Sequence, residues 1–150
     1  MKYAHSINLN VFSHEYENSG IILQSFLEFF PFNMEEKKVE LRKSNAEGFN
    51  ESKITIFEVI LAKTNLINQF LDFISDNLNE EQKQTILRQA ESRLDENLDF
   101  FIRFDKEEWI QNNKLELTDS GKCFHLRMSV AAFPRKREVA LNIVKELLER

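Results

Sequence analysis

Apolar and polar residues alternate at the start of the chain. Ile7, Leu9 and Val11 take one parity and Ser6, Asn8 and Asn10 the other, the period of a half-buried strand. The period then lengthens to a helical one. Ser13 stands as an N-cap, and Glu15 and Glu17 fall in a first turn that favours acids. Tyr16, Ile22, Leu23, Phe26, Leu27 and Phe30 keep helical spacing until Pro31 stops it. Val39 and Leu41 alternate with Lys38, Glu40 and Arg42, predicting a polar-edged strand over 37–43, and 44–52 reads as a turn. Residues 53–62 predict a strand with a slip in parity. Ile54 and Ile56 share one side while Phe57, Val59 and Leu61 share the other, which a β-bulge near Ile56-Phe57 would reconcile.

Two helices follow. Thr64 or Asn65 caps the first, through Leu66, Ile67, Phe70, Leu71, Ile74 and Leu78. Asn79 with Gln82 forms a capping box for the second, through Ile86, Leu87, Ala90 and Leu94. Next, Leu98, Phe100, Ile102 and Phe104 define one side of a strand, with Phe101, Arg103 and Asp105 on the other. Leu115 and Leu117 begin a further strand, and Asp119-Ser120-Gly121 turns the chain. In the longest strand, 123–132, Phe124, Leu126, Met128 and Val130 point inward and Cys123, His125, Arg127 and Ser129 outward. Pro134 suits the first position of a last helix bearing Val139, Ala140, Ile143, Val144 and Leu147. The order β-α-β-β-α-α-β-β-β-α predicts one α+β domain over 1–150. It would be a two-layer sandwich, a mostly antiparallel sheet with helices on one face and polar side chains on the other.

Composition narrows the class. A hydrophobic content of 42% with 30% charged residues suits a water-soluble chain long enough to bury a core. No apolar run reaches the roughly 18 residues of a spanning helix, and the N-terminus shows no signal-peptide core. The lone Cys123 cannot form an internal disulfide, so the cytoplasm is the expected location. The net charge of −5 opposes bulk attraction to a polyanion. Its distribution is uneven. Residues 1–100 hold 10 basic and 17 acidic side chains, whereas residues 101–150 hold 10 basic and 8 acidic. A polyanion would find the last third.

Catalytic signals are weak. His5, His14 and His125 are too scattered for a short metal motif, and Cys123 with His125 lacks further ligands or an orienting third group. Phosphate-loop, dinucleotide-fold, nucleophile-elbow and zinc-protease motifs are missing. Asp105, Glu107 and Glu108, like Glu80 and Glu81, are accounted for by helix first turns. No cofactor or metal is expected, and no enzyme.

The basic run Arg135-Lys136-Arg137 is harder to dismiss. In the first turn of the last helix, cations oppose the macrodipole by about 0.3–1 kcal/mol each. There they would add side-chain donors to free backbone N–H groups, an arrangement that holds phosphate. The alternative is a solvated charge run partly neutralised by Glu138. Arg103 and Arg127, on the polar side of the sheet, would join the site. Phe101 either stacks an unpaired base beside them or packs beneath the loop that holds Trp109, the more ordinary role.

Phe101-Ile102-Arg103-Phe104-Asp105-Lys106, Leu115-Glu116-Leu117 and Ala132-Phe133-Pro134-Arg135-Lys136-Arg137-Glu138 give nearly the whole chain a likeness. It resembles the archaeal RNA-binding domain family with a fold like ribosomal protein L5. The resemblance implies an L5-like sandwich, RNA binding, and association with the RNA exosome. By motif position it carries over Arg103, Asp105, Lys106, Pro134, Lys136, Arg137 and Glu138, while Phe133 stands where the family commonly has tyrosine. The leading expectation is a non-catalytic, cytoplasmic RNA-binding protein, linked to RNA processing or degradation. Arg103, Lys106, Arg127, Arg135, Lys136 and Arg137 would hold the phosphates. The alternative is a protein-interaction subunit whose acidic first two-thirds meets a basic partner. An enzyme acting on phosphorylated small molecules ranks last, for want of a general base. The oligomeric state stays open, a dimer included.

Overall fold

The computed structural model describes all 150 residues, the side chain of Glu51 excepted. Five strands form one antiparallel sheet: β1 Ala4–His14, β2 Arg42–Glu47, β3 Lys53–Leu61, β4 Asp99–Asp105 and β5 Cys123–Val130, in the order β2-β3-β1-β5-β4. The helices are α1 Ser19–Leu27, α2 Thr64–Asn77, α3 Glu80–Arg88, α4 Ala90–Arg93, α5 Lys106–Asn112 and α6 Arg137–Glu149, with a 3-10 turn at Phe49–Glu51. Helices α1 and α2 pack on β1, α5 on β4 and α6 on β5. The α+β class and the antiparallel sheet are as the alternation predicts. No helix is long and apolar enough to cross a membrane.

The inward residues of the central strands make the core. Ile7, Leu9 and Val11 of β1 and Phe124, Leu126, Met128 and Val130 of β5 are buried, as are Phe100, Ile102 and Phe104 of β4. Aromatic packing ties sheet to helices. Phe29 lies 5.0 Å from Phe124 and 4.5 Å from Trp109, whose indole N–H donates to the carbonyl of Ser25 at 2.8 Å. Burying these rings supplies much of the driving force for folding.

Several boundaries differ from the predicted ones. Strand β1 runs on to His14, with Ser13 buried in it, and Asn18 caps α1 by accepting from the N–H groups of Gly20 and Ile21. The predicted strand over 37–43 lies instead at Arg42–Glu47, overlapping the prediction at Arg42 and Lys43 and running on into the predicted turn. Strand β3 has no bulge, since its register with β1 is unbroken from Ile7↔Leu61 to His14↔Ile54. Ile54 and Ile56 therefore belong to the outer face. Around Trp109 there is the helix α5 rather than a loop, and the predicted strand at Leu115 is reduced to one bridge between Leu117 and Phe104. The capping box at Asn79 and Gln82 is formed as read, with bonds of 2.8 and 2.9 Å.

Candidate nucleic-acid interface

The helices cover one face of the sheet, and the residues of the other face are set by register. One row crosses all five strands as Arg42, Glu58, Asn10, His125 and Arg103. The next row holds Ile60, Asn8, Arg127 and Phe101. Arg103 and Arg127 are exposed, while Phe101 and His125 are half-buried between them. The two rings lie 5.5 Å apart, tilted by 38°. Arg103 donates to the carbonyl of Asp119 at 3.1 Å, which steadies the guanidinium without neutralising it. Burial lowers the pKa of His125 below its ordinary 6.5, and the charges of Arg103 and Arg127 push it the same way.

Phe101 does not pack beneath Trp109. The indole lies on the helical side of the sheet, against Phe29 and Phe73, and Phe101 lies on the open side. Its carbonyl accepts from Arg93 at 3.1 Å, which covers part of the β4 edge. As the alternation of β5 predicts, Cys123 is on the open face, in register with Asp105 and lining the same surface as Phe12 and His125, but its neighbours there leave it only 7% exposed. Burial raises its thiol pKa despite the nearby Arg103 and Lys106, as for an inert side chain rather than a nucleophile.

Lys106 is a correction. The residue is only 4% exposed. Its ammonium donates to the Phe12 carbonyl at 2.7 Å and to both carboxylate oxygens of Glu17 at 3.2 and 3.3 Å. A phosphate cannot compete for donors already spent inside the protein. Burial would raise the Glu17 carboxyl, but the His14 backbone N–H and the Lys106 ammonium outweigh it and hold the pKa below 4.5.

The basic run is divided by the fold. Helix α6 begins at Arg137, so Pro134 precedes the helix, and Lys136 is its N-cap residue with no side-chain cap. Arg137 turns back onto the end of α4. It donates to the Leu94 carbonyl at 2.9 Å, to the Glu91 carbonyl, and to the Glu91 carboxylate at 3.2 Å. A cation at one helix's N-terminus thereby serves another helix's C-terminal carbonyls, where the dipole favours it. That removes Arg137 from the phosphate set. Arg135 donates to the Asn97 carbonyl at 3.2 Å but stays exposed, as does Lys136. Both lie just beyond the end of β5.

Four residues of the open face escape the sequence reading: Phe12, Asn10, Glu58 and His125 as a ring partner. A signal exists. Phe12 shares the parity of Asn8 and Asn10, and Ile54 and Ile56 stand opposite in parity to Phe57, which together mark an apolar patch on the outer face. Among the described residues no three His, Cys, Asp or Glu side chains gather as a metal site.

Known proteins share this architecture along nearly their whole length. Protein AF2318 from Archaeglobus fulgidus is similar with a TM-score of 0.85 and 25% identity, covering 96% of this chain and 99% of that one. Mth689, a DUF54 protein from Methanothermobacter thermautotrophicus, has a TM-score of 0.78 at 23% identity, with 97% and 98% covered. RNA-binding protein PAB1135 of Pyrococcus abyssi is 29% identical over 146 residues, 97% of this chain and 94% of that protein. The family model described as RNA binding matches residues 6–130, and the chain belongs to that family.

Proposed function

We propose that the chain is a non-catalytic RNA-binding protein that receives RNA on the open face of its sheet. Arg103 and Arg127 hold phosphates there, with Arg135 and Lys136 extending the charge past the end of β5. The observation that supports this most is the pair of exposed arginines flanking the Phe101–His125 rings on a face that no helix covers. Cations beside aromatic rings on a sheet suit single-stranded nucleic acid, because phosphates and bases are met by neighbouring groups. The name of the Pyrococcus relative and the family description point the same way. The likeness to the L5-type fold, and the link to RNA processing or degradation with the exosome as partner, rest on family resemblance alone. A cytoplasmic location accords with a buried free cysteine.

Affinity for a short unstructured RNA, measured against salt, tests the assignment. The Arg103→Glu/Arg127→Glu variant should weaken binding and flatten the log–log salt slope by about 0.7 for each phosphate no longer neutralised. An unchanged slope in a folded variant would move the site elsewhere.

A further inference from the structure

The open face also contains a depression of about 450 Å³ whose chemistry is not that of a phosphate site. Its walls include Phe12, Asn10, Glu58, Arg103 and His125. A carboxylate is out of place on a face that holds phosphates unless it has a partner. Arg42 stands directly across the strand pair from Glu58, yet among the described residues Glu58 forms no ion pair. Instead it accepts from the Asn8 amide at 3.0 Å, and Asn8 in turn accepts from Asn10 at 3.2 Å. This chain of amides fixes the carboxylate and leaves it acceptor capacity toward the depression.

We propose that this depression takes one unpaired guanine of the bound RNA strand, stacked on Phe12 and read at its Watson–Crick edge by Glu58. The inference deepens the RNA reading above and rests on it. Phe12 is 43% exposed, enough to offer a ring face to a base. Phe12 pairs with Ile56 and Glu58 with Asn10, so the two are diagonal neighbours, about 7–8 Å apart along such a sheet. That separation lets a base resting on the ring direct one edge at the carboxylate.

The choice of base follows from donors. Guanine alone places two adjacent donors, the ring N1–H and the 2-amino group, on its Watson–Crick edge, and a carboxylate accepts both. Adenine and cytosine set one amino group beside an acceptor ring nitrogen, which a carboxylate repels. Uracil sets one N–H between two carbonyls. Because the same edge is consumed in a base pair, the guanine must be unpaired. Arg103, on the far side of the row, is placed to hold a phosphate of the same strand.

Three RNAs test this: oligouridine, the same strand with one central guanine, and the same strand with one central adenine. The wild-type protein should bind the guanine strand about tenfold more tightly than either other strand. Glu58→Gln should bind all three alike, since an amide turns one acceptor into a donor. Phe12→Ala should weaken the guanine strand by about tenfold or more. Equal binding of all three strands by the wild type would overturn the guanine pocket and leave the RNA reading standing. A guanine preference that survives Glu58→Gln would overturn it also. Failure to bind any strand would overturn both. Guanosine monophosphate supplies the base without neighbouring phosphates. If it binds as tightly as the strand does, the pocket serves a free nucleotide and the RNA assignment falls.

Discussion

Lys106 Nζ lies 2.7 Å from the carbonyl oxygen of Phe12, a residue 94 positions earlier in the chain. The bond joins the start of α5 to the end of β1, and Glu17 completes the site from the loop before α1. An ammonium placed there organises the backbone that carries Phe12. Lys106→Met should cost about 2–4 kcal/mol in denaturant unfolding, because it leaves Glu17 and a buried carbonyl without their cation. The salt slope of RNA binding should not change, since Lys106 neutralises no phosphate. A change in that slope with unaltered stability would return Lys106 to the RNA-contacting set.

The Glu17 carboxyl sets an acid limit. Its folded pKa is below the ordinary 4.5, so its contribution is complete above that value and is lost as pH falls through the lowered one. Glu17→Gln should therefore lower stability at neutral pH and reduce the acid sensitivity below pH 4.5, as read by unfolding at a series of pH values.

Arg137 serves as a cap for α4. Arg137→Ala should cost about 0.5–1.5 kcal/mol, because the donors to the Glu91 and Leu94 carbonyls are lost at a surface where water replaces part of them. RNA affinity should stay close to that of the wild type, whereas Arg103→Ala and Arg127→Ala should each weaken it. Anisotropy and thermal melts on the three variants separate these outcomes.

His125 gives the interface a pH response of opposite sign in binding and stability. Its folded pKa lies below 6.5, so the unfolded chain takes up a proton first and stability falls as pH drops beneath 6.5. The proton finally gained by the folded protein adds a third positive group between Arg103 and Arg127. RNA affinity should rise several-fold on acidification, in proportion to the added charge. His125→Gln should abolish that rise. An affinity that is flat with pH in the wild type would place His125 outside the interface.

Much of the sheet is readable from the residues because its information is local. The alternation of β5 sets Phe124, Leu126, Met128 and Val130 inward and Arg127 outward without reference to any distant residue. The Asn79–Gln82 box is likewise contained in four consecutive residues. Errors arise where two local patterns compete. Ser13 fits both an N-cap and a strand, and burial against the core decides for the strand while Asn18 takes the cap. Ile54 and Ile56 mimic a slip in parity if the open face is taken to be polar throughout, whereas they pair with His14 and Phe12 on that face.

The site is less legible. Arg103 and Arg127 follow from parity alone. The fates of Lys106 and Arg137 depend on partners 89 and 46 residues away, which no periodicity reports. Glu58 and Asn10 carry no motif at all. Only the register of β3 with β1 brings them together.

Occupation of the open face by RNA is tested most directly by backbone amide chemical shifts of the labelled protein, followed while a guanine-containing single strand is added. The largest changes should fall at Asn10, Phe12, Glu58, Phe101, Arg103, His125 and Arg127, with small ones across α1, α2 and α3. Changes confined to the helical layer, or none at low salt in a folded protein, would contradict RNA binding on this face.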